Sequence, residues 1–186
     1  AQFIAQHPER RISVTPRTRP TLEISRDRSG VPAFVEATGG NGNGTGKGVV
    51  VGVVDTGIDI THPGFFDADG NSRIAWLLTW GPPRGIHPEI EERMGCNDPD
   101  QSPCAVFSAE DFPNGDLAED LHDLVGHGTH VTSIAAGNGR RTKNNVIPPK
   151  YVGIAPEATI VFAAPSQNGG FADDEIIRGT KFVFDR

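Results

Sequence analysis

Cysteine, methionine, tyrosine and long apolar runs are scarce in this 186-residue chain, which has two cysteines, one methionine and one tyrosine. Two thiols are too few for a four-cysteine zinc site. No apolar run approaches the roughly 20 residues that span a bilayer, so we expect no membrane partner. Positive charge is also in deficit, because the formal net charge is −7. Nucleic-acid binding needs a basic face, so we expect no nucleic-acid partner.

The first 30 residues depart from this acidic balance. They hold six arginines against three acidic residues, a balance of +3, which leaves −10 on residues 31–186. A basic segment in front of an acidic body predicts that the two attract each other.

A valine-rich run at residues 48–54 ends abruptly in Asp55. Such a run predicts a strand that is buried on both faces of a parallel sheet, and therefore an α/β fold. Asp55 then lies at the carboxyl end of the strand, where open α/β sheets form their binding crevice. The simpler alternative is an Asx turn, in which Asp55 only caps the backbone.

The tripeptide Asp55-Thr56-Gly57 is ambiguous between two protease chemistries. Aspartic proteases pair two such carboxylates, which share a proton. In serine proteases a single aspartate orients a histidine that serves a serine. A second motif has to decide between them.

The second motif is Gly-His-Gly-Thr-His-Val at residues 126–131, which predicts a loop that delivers His127 at the start of a tightly packed helix. Further blocks are Val-Val-Asp-Thr-Gly-Ile-Asp at 53–59, His-Pro at 62–63 and Gly-Ile-Ala-Pro-Glu-Ala at 153–158. In this order the blocks resemble the subtilase family of serine proteases, over roughly residues 25–186.

This resemblance implies a subtilisin-like parallel sheet flanked by helices, incomplete in this chain. It also implies that Asp55 and His127 are two members of an Asp-His-Ser triad in a serine endopeptidase. No serine here lies in the Gly-Thr-Ser-Met-Ala-type block of the family, and the oxyanion asparagine is absent. The chain is therefore expected to be the amino-terminal half of the catalytic domain, inactive alone. The alternative is a non-catalytic subtilase relative that serves as a binding or scaffold protein.

Two partners follow from this interpretation. One is a second chain that carries the carboxy-terminal half of the same protease, and the other is a protein or peptide substrate. By resemblance, Gly169, Gly170 and Phe171 form the backbone edge that pairs with an extended substrate. Glycines permit close approach and an exposed edge accepts an added strand, although the same residues are also compatible with a plain loop.

Three regions are expected along the chain. Residues 1–24 resemble the tail of an inhibitory prodomain with its linker, which implies a zymogen. Residues 25–186 form the amino-terminal half of the peptidase domain, and residues 66–120 are an inserted acidic region.

No cofactor is required for the implied catalysis. A structural calcium ion is typical of the family, but Gly64 stands where many members have an aspartate after His-Pro. Asp67, Asp69 and Asn71 have the alternate spacing of a calcium loop without its final glutamate, so a tight acidic turn is expected instead. The residue after His127 is glycine, which disfavours a zinc protease built on the local histidines.

The two cysteines, Cys96 and Cys104, bracket a small polar loop in the expected inserted region at residues 66–120. They predict a disulfide if the protein is exported, so we expect a secreted or extracytoplasmic location.

Some local expectations concern packing. A short helix at residues 31–37 should bury an apolar stripe that includes Phe34, His130 should lie in the core, and Asp173 should cap a helix. A solvated acidic rim is expected from Asp98, Asp100, Glu110, Asp111, Asp116, Glu119 and Asp120.

Overall fold

The structure is a computed structural model that describes residues 22–40, 42–112, 121–140, 151–165 and 170–186. Its centre is a four-stranded sheet with the strand order β1-β4-β2-β3. The strands are β1 (Val50–Val54), β2 (Ile74–Trp80), β3 (Cys104–Ser108) and β4 (Thr159–Ala164).

Strand direction separates β3 from the rest of the sheet. β4 lies parallel to both β1 and β2, whereas β3 is antiparallel to β2, with Leu78 opposite Val106. This confirms an α/β fold with a mostly parallel sheet, to which β3 adds one antiparallel strand. β2 lies inside the main sheet, although it belongs to the segment predicted to be inserted.

Five helices lie in the described part of the chain, and the last three of them pack against the sheet. They are α1 (Leu22–Arg28), α2 (Val31–Ala37), α3 (Pro88–Arg93), α4 (His127–Ala136) and α5 (Asp173–Asp185), and a 3-10 helix spans Pro63–Phe65. None of the described helices is long and apolar enough to cross a bilayer.

The hydrophobic core lies on both faces of the sheet. One cluster centres on Phe65, Phe107 and Phe162 and includes Ala136 of α4. The other joins Leu78 and Val106 to Phe182 of α5, and also includes Met94, Cys96 and Cys104. Because side chains alternate along each strand, both faces of the two central strands are covered.

The prediction that the valine run is buried on both faces is wrong in detail. β1 forms as predicted, but Val50 is 52% exposed and no residue of the strand is fully buried. The reason is position, since among the described strands β1 pairs only with β4 and lies at a sheet edge. β4 is the strand that is almost entirely buried, as expected for its sequence.

The helix of the amino-terminal region also differs from expectation. The helix predicted at residues 31–37 forms as α2, yet it buries no residue and Phe34 is exposed. It packs against α1 rather than under the sheet. Residue 24, after which the domain boundary is expected, lies within α1, and residues 1–21 lie outside the described part, so the boundary stays a prediction.

Candidate active site

Asp55 and His127 meet at the carboxyl end of β1. His127 Nδ1 lies 2.8 Å from Asp55 Oδ1 and 3.1 Å from Oδ2. The backbone N–H of Thr56 donates to the same Oδ1 at 2.7 Å, which fixes the carboxylate. An ionised carboxylate only accepts hydrogen bonds, so Nδ1 carries the hydrogen and Nε2 keeps its lone pair.

Asp123 anchors the amino terminus of α4, where His127 is the first residue. Its Oδ1 accepts from Gly126 N at 2.8 Å and its Oδ2 from Thr129 N at 2.9 Å. These N–H groups have no partner within the helix, so the carboxylate satisfies them and favours the positive end of the helix dipole. The hydrogen bonds lower the pKa of Asp123 although partial burial opposes them. Asp123 thus caps the start of α4.

A small glycine allows α4 to approach β1. A Cβ atom on Gly128 would lie 2.1 Å from the carbonyl oxygen of Gly57 and 3.1 Å from Asp55 Cβ. Thr56 then joins the two elements, because its Oγ1 accepts from Gly128 N at 3.1 Å and donates to Asp123 at 3.2 Å. Sequence reasoning missed this role of Thr56, and its only signal is its position between Asp55 and Gly57.

The His127 ring is open on the side away from Asp55. Its side chain is 62% exposed, while that of Asp55 is 14% exposed. The hydrogen bond and the negative charge of Asp55 raise the pKa of His127 above its usual value. The arrangement is an oriented imidazole with a free nitrogen that faces solvent, which is the geometry of a general base.

The His-Pro turn lies next to a buried arginine. His62 Nδ1 accepts from Gly64 N at 3.2 Å and the ring packs on Phe65. Arg73 donates to the carbonyl oxygens of Gly64, Ala136 and Ala158 at 2.6–2.8 Å. Burial is the main cause that lowers the pKa of Arg73, to about 10.

This arginine, which the sequence analysis did not single out, brings a cation to the His-Pro turn, where it contacts the carbonyl oxygen of Gly64. It also ties together the end of α4, the His-Pro turn and the start of β4. The nearby Asp67 accepts from the backbone of Asp69 and Asn71, which forms the expected acidic turn. In the described ranges no three acidic, histidine or cysteine residues are placed to hold a metal ion. Calcium binding stays a prediction.

Gly170 and Phe171 lie just before α5, from which Ala172 separates them. Gly170 is exposed and Phe171 is partly buried. Gly169 lies outside the described residues. Asp173 is the first residue of the helix rather than its cap, and Glu175 Oε2 accepts from Ala172 N at 3.0 Å. The carboxylate of Glu175, in the first turn of α5, therefore binds the backbone N–H of Ala172, the residue before the helix.

Two further local predictions are wrong. His130 is exposed on α4 within the described chain, because no described element packs over this face. Asp111 is not a solvated rim residue, since its Oδ2 accepts from Ser108 N and Oγ and lies 2.8 Å from His87 Nε2. Asp116, Glu119 and Asp120 lie outside the described residues.

The segment predicted to be inserted, residues 66–120, contains the predicted disulfide and a buried carboxylate that the sequence did not suggest. Cys96 and Cys104 are joined by a disulfide bond, with their Cα atoms 4.5 Å apart. Glu91 is 1% exposed and accepts from the backbone N–H groups of Arg84, Gly85 and Val106. Residues 88–92, Pro-Glu-Ile-Glu-Glu, contain three glutamates, and the sequence alone does not indicate which of them is buried.

Fold and site together define a class, an α/β protein with an aspartate-oriented histidine at the carboxyl end of a parallel sheet. A sequence model described as the Subtilase family matches residues 46–185. The chain belongs to this family.

Individual relatives agree with this assignment. The chain is 31% identical over 167 residues to the subtilisin-like protease SBT2.1 of Arabidopsis thaliana, which covers 79% of this chain and 18% of that protein. It is also 33% identical over 147 residues to the subtilisin-like protease SBT2.3 of the same plant. This match covers 70% of this chain and 16% of that protein.

A solved structure supports the same fold. The CspB protease of Clostridium perfringens superposes with a TM-score of 0.62 at 26% identity, over 87% of this chain and 30% of that chain. The chain thus spans about a fifth of the curated relatives it matches and under a third of this structure.

Proposed function

We propose that this chain supplies the base and its orienting carboxylate to a serine endopeptidase that cleaves peptide bonds by acyl transfer. The observation that carries the proposal is the 2.8 Å contact between His127 Nδ1 and Asp55 Oδ1, with the rest of the ring exposed. Membership of the subtilase family and similarity to subtilisin-like proteases support it.

In this mechanism Nε2 of His127 takes the proton of a serine hydroxyl as that oxygen attacks the scissile carbonyl. Asp55 holds the Nδ1–H tautomer and stabilises the imidazolium that forms. His127 then returns the proton to the leaving amine, and water releases the acyl group by the same route in reverse. The serine and the oxyanion asparagine come from a separate carboxy-terminal segment, because no serine of this chain has the family setting.

Exposed apolar surface supports a tightly bound carboxy-terminal half. Val49 and Val50 are more than half exposed at the open side of β1, and Ile177 and Phe184 of α5 are 68% and 87% exposed. An apolar strand edge of this kind pairs readily with further strands. We propose that the carboxy-terminal half of the protease, as a second chain, covers this surface.

The substrate is proposed to be a protein or peptide in extended form that pairs with the backbone of Gly169, Gly170 and Phe171. Exposure of Gly170 next to α5 fits this role. The Cys96–Cys104 disulfide fits a secreted or extracytoplasmic location, because disulfides persist in oxidising compartments. The zymogen with a prodomain at residues 1–24 stays a prediction.

Labelling of the complete protease with a fluorophosphonate tests this function. We expect one serine to be labelled, on the segment that complements this chain, and labelling to be lost in a His127→Ala variant. Active material without a labelled serine would contradict acyl transfer. A folded, substrate-binding assembly that neither reacts nor cleaves would favour the non-catalytic alternative.

A further inference from the structure

The disulfide loop of the insertion is attached to the amino-terminal part of α5. Cys96 and Cys104 close this loop. Within it, Ser102 Oγ donates to Glu175 Oε1 at 2.7 Å, and the carbonyl oxygen of Ser102 accepts from Arg178 Nη1 at 2.6 Å. One serine therefore contacts two successive turns of the helix through two different groups.

The contact continues to the backbone that precedes α5. Glu175 uses its second oxygen, Oε2, to accept from Ala172 N at 3.0 Å. Ala172 directly follows Phe171, and the backbone of Gly170 and Phe171 is the described part of the proposed substrate edge. A single carboxylate thus bridges Ser102 of the insertion and the end of that edge.

Burial makes this attachment specific. Arg178 is 7% exposed, and among the described residues the Ser102 carbonyl is its hydrogen-bond acceptor, while Nε and Nη2 have none. A buried guanidinium that has a single acceptor depends strongly on that acceptor. The loop and the helix are consequently held in one relative position.

We propose that Ser102 is a positioning residue for the substrate edge, which acts through Glu175 and Ala172. The disulfide limits the movement of Ser102, Ser102 fixes the Glu175 carboxylate, and the carboxylate fixes the backbone at the end of the edge. This inference rests on the proposed function, because it presumes that Gly170 and Phe171 bind substrate. It assigns a role in substrate binding to an insertion that lies outside the motifs of the family.

The test compares three variants of the complete protease. Ser102→Ala removes the hydroxyl but keeps the carbonyl oxygen that Arg178 needs. Ser102→Thr keeps the hydroxyl, and Asp100→Ala changes an exposed residue of the same loop. For each, steady-state cleavage is measured on a series of peptides lengthened stepwise on both sides of the scissile bond. Hydrogen exchange is followed at the amides of Ala172 and Ile176, the latter bonded to the carbonyl of Ala172.

For Ser102→Ala we expect about tenfold faster exchange at these amides and an approximately tenfold higher KM for long peptides, because a hydrogen bond to a charged group is lost. The kcat on the shortest cleaved peptide should stay unchanged, Ser102→Thr should restore KM, and Asp100→Ala should behave as wild type. A lower kcat and a higher KM for all peptides alike would indicate a merely structural role and overturn the proposal.

Exchange separates this inference from the proposed function. Unchanged exchange in Ser102→Ala would overturn the positioning contact even in an active protease. Faster exchange with an unchanged KM for every peptide would overturn the role in substrate binding. A wild-type protein that no fluorophosphonate labels would contradict the proposed function, while its exchange would still report on Ser102.

Discussion

The two edges of the sheet are built differently. β3 is an edge strand in the described chain, yet four of its five residues are buried, and the outward N–H of Val106 is accepted by Glu91 of α3. β1, at the other edge, has exposed valines and supports the Asp55–His127 pair at its tip. One edge is closed by a short helix, a carboxylate and a disulfide, whereas the other is open.

This difference shows how free strand edges are managed. An unpaired backbone N–H of an edge strand can donate to another strand. An acceptor in the same molecule that binds this N–H prevents such pairing. Glu91 does this at β3, so that side of the molecule is complete in itself. At β1 no such acceptor is present among the described residues, which is the expected state of a surface that receives more of the protein. The candidate site lies on the open side.

The largest expected effect is on activity and comes from substitutions in the Asp55–His127 pair, on the open side of the sheet. His127→Ala or Asp55→Asn in the complete protease should lower kcat by about ten-thousandfold or more, because the base or its orientation is lost. Steady-state cleavage of a peptide measures this. His130→Ala, on the exposed face of the same helix, is the matched control and should retain activity. Retained activity in His127→Ala would remove His127 from the mechanism.

At the closed side the expected effect is on stability. Glu91→Ala should lower the free energy of unfolding by about 3 kcal/mol, because it removes the acceptor of one buried N–H group, that of Val106, and of two partly buried ones, those of Arg84 and Gly85. Urea unfolding measures the change. Glu91→Gln keeps one acceptor oxygen and should lose less, and the exposed neighbour in Glu92→Ala should lose little. Equal stability of all three variants would mean that Glu91 does not close the edge.

A smaller loss of stability is expected from the disulfide. The double variant Cys96→Ser with Cys104→Ser opens a short loop, since the two positions are 8 apart in sequence. Loop-closure entropy then predicts a loss of about 2.5 kcal/mol. Thermal unfolding with and without a thiol reductant measures it, and only wild type should respond to the reductant. If wild type does not respond, the bond contributes nothing to folding.

The smallest effect concerns pH and sharpens the account of the open side. A general base must be unprotonated, so activity should fall as pH decreases through the pKa of His127, which Asp55 holds above its usual value. In Asp55→Asn the negative charge is gone, so the acidic limb of residual activity should move to lower pH. The pH dependence of kcat/KM measures this shift. A limb that stays in place or moves upward would contradict the role of Asp55.

Local patterns in the sequence were enough to predict where Asp55 and His127 each lie, and the resemblance of their motifs to the subtilase family implied that the two act together. Asp55 directly follows an apolar run, and His127 follows a glycine at the start of a helix. These patterns indicate that Asp55 lies at the end of a strand and His127 at the start of a helix. The turn at His62 and the pairing of Cys96 with Cys104 are equally local, because few residues separate their partners.

Apart from Asp55 and His127, which are 72 positions apart and lie in the family motifs, partners distant in sequence were decided only by the tertiary structure. The contact of Ser102 with Glu175 joins residues 73 positions apart, and nothing in either segment indicates the other. Likewise the burial of Glu91 and the exposure of Val50 depend on which strands occupy the sheet edges. A sequence motif records what the neighbouring backbone requires, whereas burial and distant hydrogen bonds depend on how separate segments pack.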